Sequence, residues 1–285
     1  MASFIAPEIN RNFAPPTGPA PFLSTSLARL PRLPDLLTTA NLCCGVASIL
    51  LASQGQLTIA CGLIFLAAVF DVFDGLAARA LGGGTPLGVQ LDSLADMVSF
   101  GVAPGMIAWF TFKVGGPVDF FYVVSGGATR WWSIPAAALT IPVASAWRLA
   151  KFNVDTRQTT GFLGLPTPAN GLFWASLPLI GNYFPGLRAP GSDMLERVIM
   201  GAMIDVPTLI FWIALVLAIL MLSELPLPSL KFKHKGWKGN EVIFILLGVG
   251  TVLVLLYGIL AVPLILVIYL LSPLWGKLFP KTQDK

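Results

Sequence analysis

The chain has 285 residues, of which 55% are hydrophobic and only 11% charged, and its mean hydropathy is +0.79. A soluble globular domain is about 25% charged, so that class is excluded and an all-α, polytopic integral membrane bundle is predicted, because a lipid-exposed backbone must satisfy its own hydrogen bonds. The net charge of +4 does not point to nucleic acid, since no aromatic side chains interleave with basic ones as a base-stacking surface requires.

Residues 1–32 are rich in Pro, Ala and Ser and carry Arg11, Arg29 and Arg32 without a signal-type apolar core. They read as a cytoplasmic tail, disordered or lying on the membrane surface near Phe22 to Leu30. About eight spans follow, near 34–53, 57–80, 88–112, 132–153, 169–184, 205–222, 241–256 and 258–272. The last two meet at Gly258 and form either a helical hairpin or one broken helix. Cys43, Cys44 and Cys61 lie in apolar runs and read as small packing residues. The connection 185–204 carries no motif. The loop 231–239, KFKHKGWKG, reads as a basic topology anchor for anionic headgroups, with His234 a solvated loop residue. With both termini inside, only Lys113, Arg130, Arg188 and Arg197 of the 18 basic residues face outward. That asymmetry satisfies the positive-inside rule and puts the 81–87 turn in the cytoplasm.

The richest stretch is 71–96, DVFDGLAARALGGGTPLGVQLDSLAD. Asp71 and Asp74 are three apart and Asp92 and Asp96 four apart, so each pair shares one helix face. An Asp at the centre of a membrane helix costs about 2.5–3.5 kcal/mol on the insertion scale. Four are tolerable only near a water-accessible end, facing a cavity and neutralised by cations. Clustered hard oxygens suit Mg²⁺, Mn²⁺ or Ca²⁺, and two pairs could hold two ions that clamp phosphate oxygens. Gly75 and Ala78 leave room beside the helix backbone for a flat base or ribose. Arg79, at the helix end, can grip a phosphate with its fork. The Gly-rich turn lets the chain reverse, and Pro104, with Gly101 and Gly105, is expected to kink the third span and open the cavity. A buried acidic network could also serve ion passage in a cation-coupled transporter.

The pattern Asp71-x2-Asp74-Gly75-x2-Ala78-Arg79-x8-Gly88-x3-Asp92-x3-Asp96 resembles the signature of the CDP-alcohol phosphatidyltransferases, with every fixed position filled and every gap of the expected length. The resemblance implies that Asp71, Asp74, Asp92 and Asp96 hold divalent metal, Mn²⁺ or Mg²⁺, as two ions. Asp96 would also take the proton of the attacking alcohol. Asp71, Gly75, Ala78, Arg79 and Gly88 would meet CDP-diacylglycerol, and CMP would leave. Asn41, a polar amide inside an apolar run, reads as a further nucleotide or phosphate contact or as an interhelical packing partner. A homodimer is implied as well. The catalytic core would be 33–184, with additional helices over 185–275 and a cytoplasmic tail at 276–285.

Three further stretches bear on the acceptor: TTANLCCG from Thr38, DSLADMVSFGVAP from Asp92, and RLAKFN from Arg148 followed by GLPTPAN from Gly164. Together they resemble the branch of that family that joins CDP-diacylglycerol to L-serine. Lys151 departs from that branch's commoner arginine, keeping the charge but not the fork. Arg148 and Lys151 share a helix face and would hold the serine carboxylate, with Asn153 and Thr167 as polar neighbours; both cations are equally readable as positive-inside anchors. The same chemistry with glycerol 3-phosphate, inositol phosphate or choline as acceptor, or with an archaeal ether-lipid donor, is the alternative.

Overall fold

The computed structural model describes residues 32–112, 130–154, 162–183, 206–227 and 241–276. The expectations for 1–31, 185–204 and 231–239, His234 included, fall outside the described residues. The helices are α1 (Leu33–Ser53), α2 (Leu57–Ala80), α3 (Pro86–Asp96), a π-helical segment (Met97–Val102), α4 (Ala103–Phe112), α5 (Arg130–Val154), α6 (Thr167–Tyr183), α7 (Val206–Leu222), α8 (Glu241–Tyr257) and, after a 3₁₀ turn at Gly258–Leu260, α9 (Ala261–Gly276). Two short strands, β1 (Phe162–Leu163) and β2 (Pro226–Leu227), pair antiparallel. This is a helical membrane protein, with helix at each of the eight expected positions. Among the described residues, four stretches are long and apolar enough to cross a bilayer: Leu33–Ser53, Leu57–Ala80, Pro86–Thr111 and Phe244–Pro273.

The first two helices form a close antiparallel pair. On α1 the buried positions Thr38, Asn41, Cys44, Gly45, Ser48 and Ala52 recur every three or four residues, and on α2 Ala60, Cys61, Ile64, Ala67 and Asp74 do the same. Small residues let helix backbones approach where lipid supplies no hydrophobic driving force. Ser48 Oγ reinforces the seam by donating to the Ala60 carbonyl at 2.8 Å. Leu36, Val46, Leu50, Leu66, Val69 and Phe73 face outward, as lipid contact requires. Cys44 and Cys61 are buried in this core, and none of the three cysteines forms a disulfide.

Both ends of the α2 hairpins close by the same glycine device. After α1, Gly55 at φ +80° allows Gln56 N–H to reach the Leu51 carbonyl at 2.9 Å. After α2, Gly82 at φ +87° allows Gly83 N–H to reach the Ala78 carbonyl at 2.8 Å. These are Schellman closures, which need a left-handed residue just past the helix. Helix α3 then starts on Thr85, whose hydroxyl accepts from Gly88 N–H at 2.9 Å, with Pro86 in the first turn.

The third span changes its winding instead of simply kinking at Pro104. Residues Met97–Val102 adopt π geometry directly after Asp96. Proline has no N–H and crowds the carbonyl four residues back; a wider turn just before it relieves both. Gly101 and Gly105 serve packing, not the opening of a cavity. A Cβ on Gly101 would lie 3.0 Å from the Ser145 Cβ, and one on Gly105 only 2.6 Å from the Ala138 carbonyl oxygen, both on α5. Gly171 of α6 and Gly45 of α1 approach the same segment, with ideal Cβ positions 2.9 Å from Phe100 Cα and 2.8 Å from Ser99 Cα. The π segment is thus wedged among three helices.

The segment between α5 and α6 is fastened to the end of α7. Leu165 N–H donates to the Leu220 carbonyl and Gly164 N–H to the Leu225 carbonyl, each at 3.0 Å. Gly164 sits at φ +73°, where a Cβ would meet the Met221 and Ser223 carbonyl oxygens at 2.6 and 2.7 Å. Gly164→Ala is therefore expected to destabilise the protein by about 3 kcal/mol, combining left-handed strain with the clash. A fall in the midpoint of thermal unfolding in detergent measures it. At the C-terminal end, a Cβ on Gly250 would touch Ile265 Cδ1 at 3.6 Å. Residues on opposite sides of Gly258 can meet only if α9 folds back along α8, so the last two helices are a hairpin. Only 11% of the apolar window in Phe244–Pro273 is buried, which leaves this hairpin largely to lipid.

Candidate active site

The acidic residues converge. One oxygen each from Asp71, Asp74 and Asp92 lies within 4.8 Å of the others. Asp96 follows Asp92 by one helical turn and is among the charged groups beside Asp71. Asp74 and Asp96 are buried, and Asp71 and Asp92 half-buried. The Gly82 turn reverses the chain between α2 and α3, both of which pack on α1, so the two helix faces that spacing alone defines carry their carboxylates to one place. Such an all-carboxylate set matches the donor preference of a hard divalent cation. At this density it would otherwise carry strong mutual repulsion.

Helix α1 holds two of these carboxylates from behind. Thr38 Oγ1 donates to Asp74 Oδ2 at 2.7 Å, and Asn41 Nδ2 donates to Asp96 Oδ1 at 3.3 Å. Thr38 was missed in the sequence, although its spacing of three from Asn41 repeats that of Asp71 and Asp74. Asn41 is itself pinned, because Ser99 Oγ donates to its backbone carbonyl at 3.0 Å. Its Oδ1 is buried and has no partner, which leaves an acceptor free beside the acids.

The remaining residues predicted for nucleotide contact occupy different surroundings. Gly75 has only the Arg79 guanidinium near its ideal Cβ, Nη1 at 3.8 Å, so the space beside it is open and Arg79 folds back along the helix toward the acids. Ala78 is half-buried and Arg79 exposed. Gly88 is enclosed: Asp35 Oδ1 and Thr85 Oγ1 lie 3.0 and 3.1 Å from its ideal Cβ, so its small size admits the start of α1.

Of the four residues predicted to meet the acceptor, three gather. Arg148 is buried, and its Nη1 donates to Thr167 Oγ1 at 3.0 Å while its guanidinium lies 5.9 Å from the Phe152 ring centre. Asp96 is among the charged groups that face it. Its Nε is buried without a partner. Lys151 reaches the Leu222 carbonyl at 3.4 Å and Glu224 at 3.6 Å, and with Arg148, Phe152, Leu163, Met221 and Ser223 it lines a small cavity. Asn153 turns elsewhere, donating to Ser93 Oγ at 2.9 Å on the helix of Asp92 and Asp96. It braces α5 against α3.

The sequence model of the CDP-alcohol phosphatidyltransferase family matches residues 32–222, which contain the whole acidic cluster and the Arg148 cavity. The chain belongs to that family. It is an integral membrane transferase, and a cation-coupled transporter is set aside. Among similar proteins, a CDP-diacylglycerol–serine O-phosphatidyltransferase of Helicobacter pylori is 28% identical over 228 residues, spanning 78% of this chain and 81% of that one. An archaetidylserine synthase of Methanothermobacter thermautotrophicus is 35% identical over 177 residues, spanning 61% and 69%. A CDP-diacylglycerol–serine O-phosphatidyltransferase of Bacillus subtilis is 32% identical over 168 residues, spanning 59% and 86%.

Proposed function

We propose that the protein transfers a phosphatidyl group from CDP-diacylglycerol to L-serine, giving phosphatidylserine and CMP. The observation that carries this reading is the meeting of Asp71, Asp74 and Asp92 within 4.8 Å, beside Asp96. Serine as acceptor is supported by the names of the three relatives and by a buried guanidinium with an unused donor next to Asp96.

Asp71, Asp74, Asp92 and Asp96 would hold the divalent metal, Mn²⁺ or Mg²⁺ as two ions. Bound there, the ions would draw in the diphosphate oxygens and offset charge that grows in the transition state. Asp96 accepts the proton of the serine hydroxyl, a poor nucleophile at neutral pH until a base is within hydrogen-bond reach. The hydroxyl oxygen bonds to the phosphorus that carries the diacylglycerol, and the bond from that phosphorus to CMP breaks. Asn41 keeps Asp96 aimed, and Arg79 is placed to grip a departing phosphate. Open space at Gly75 and the half-buried Ala78 receive the nucleotide. Arg148, backed by Thr167, and Lys151 draw the serine carboxylate into their cavity. We place the site on the cytosolic face with both termini inside, following the distribution of basic residues. The core is assigned to 33–184, with added helices over 185–275. The enzyme is read as a homodimer.

The test is an acceptor panel. Purified protein with CDP-diacylglycerol and Mn²⁺ or Mg²⁺ should release CMP with L-serine, and at least about 100-fold more slowly with glycerol 3-phosphate, inositol phosphate or choline. A phosphorylated acceptor would need more cations than Arg148 and Lys151 supply. Faster release with glycerol 3-phosphate than with serine would overturn the choice of acceptor.

A further inference from the structure

Among the described residues, three buried side-chain polar atoms have no hydrogen-bond partner: Asn41 Oδ1, Arg148 Nε and Thr111 Oγ1. A buried polar group left unsatisfied is costly, and a ligand that pairs with it recovers that cost. Thr111 lies near the far end of the third span. The other two stand at the level of Asp96. Asn41 is fully buried, and its Nδ2 donates to Asp96 Oδ1 at 3.3 Å, so the oxygen on the same amide carbon lies at that carboxylate. The amide orients this way because an ionised carboxylate accepts hydrogen bonds and cannot donate them. Arg148, 7% exposed, reaches the same depth from α5. Helices α3 and α5 meet at two levels, running in opposite directions. Asn153 Nδ2 donates to Ser93 Oγ at 2.9 Å, and farther along the span a Cβ on Gly101 would lie 3.0 Å from the Ser145 Cβ. Asp96 falls between Ser93 and Gly101, and Arg148 between Ser145 and Asn153.

We propose that Asn41 Oδ1 receives the ammonium group of the acceptor, so that Asn41, Asp96 and Arg148 grip the three polar groups of serine and select its L enantiomer. The proposal rests on the reading that the acceptor is serine. With the serine hydroxyl at Asp96 and its carboxylate at Arg148 Nε, the ammonium still needs an acceptor. Carboxylates that hold metal serve it poorly, because their lone pairs are engaged and the cations beside them repel it. A neutral amide oxygen accepts without that conflict. In D-serine, with hydroxyl and carboxylate in the same two places, a hydrogen atom replaces the ammonium in front of Asn41. The amide oxygen then stays buried and unpaired, and a site built to hydrogen-bond a group rejects a ligand that does not present it.

The test is read as ratios, because Asn41→Ala also removes the bond to Asp96 and slows every acceptor. Purified protein with CDP-diacylglycerol and Mn²⁺ should release CMP from L-serine with a kcat/KM at least about 100-fold above that for D-serine. 3-Hydroxypropanoate, which is serine without its ammonium, should compete with a Ki about tenfold above the serine KM, the loss of one hydrogen bond to a charged group. In Asn41→Ala the serine KM should rise about tenfold, the Ki for 3-hydroxypropanoate should hold, and the preference for L-serine should fall at least about tenfold. Equal kcat/KM for the two enantiomers in the wild type would overturn the proposal while the serine reading stands; this comparison holds even if Asn41→Ala does not fold. If Asn41→Ala folds and keeps both ratios, Asn41 only steadies Asp96 and the proposal fails. If it keeps both ratios but is no longer stabilised by Mn²⁺, the oxygen belongs to the metal and the proposal again fails. If wild-type protein releases no CMP with L-serine, it is the acceptor assignment that falls.

Discussion

Asp96→Asn is expected to reduce kcat for CMP release by about 10²–10⁴-fold, the range that a positioned general base contributes. The substitution is close to isosteric, and its carbonyl oxygen can still accept the hydrogen bond that Asn41 Nδ2 gives Asp96 at 3.3 Å. It removes one negative charge from a crowded, buried group, so folding should not suffer. The variant's thermal unfolding midpoint should equal or exceed that of the wild type, which separates lost chemistry from lost structure. Rates are to be compared at saturating serine and CDP-diacylglycerol with metal in excess, so that weakened binding is not mistaken for a slower step. An unchanged kcat under those conditions would remove Asp96 from the role of proton acceptor.

Metal removal should have the other large effect. Treatment with a chelator is expected to abolish CMP release, and added Mn²⁺ or Mg²⁺ to restore it. A second readout needs no turnover. Asp71, Asp74 and Asp92 bring ligand oxygens within 4.8 Å of one another, a placement that an ion between them relieves and its loss exposes. Mn²⁺ at about 100 times its dissociation constant should stabilise the folded protein by about 2.7 kcal/mol for each independent site. Asp74→Asn should abolish most of that gain. Thermal unfolding of metal-free protein titrated with Mn²⁺ measures both. Wild-type protein that melts at the same temperature with and without the ion would argue that the acids hold no metal.

The acidic cluster was legible in the sequence because its two spacings match helical faces and a glycine turn reverses the chain between them. Arg148 and Thr167 were legible as members of one neighbourhood for a similar reason: an arginine near a helix end and a polar residue opening the next helix. Other features were hidden. Thr38 looks like an ordinary second-turn threonine until α1 is laid against α2, and its bond to Asp74 crosses 36 positions. Gly88 carries no mark that distinguishes a nucleotide contact from a close approach by Asp35. Asn153 could be placed near the site, but its pairing with Ser93 depends on how α5 crosses α3. Tyr269 lies in a run of apolar residues where only tertiary packing shows which side turns inward. Pro104 signalled an interruption in the third span without revealing that the interruption would be a change of winding.

That change of winding has a consequence for how the span can vary. An α-helix advances about 100° per residue, so the direction of every side chain after Asp96 depends on the number of residues in Met97–Val102. The wide turn acts as a phase adjuster: it lets the pair Asp92 and Asp96 address the acids of α2 while Gly101 and Gly105 address α5, two bearings that one uniform helix would lock together. Losing a single residue there would rotate the whole downstream half of the span, so its length is constrained even where its side chains are free to change.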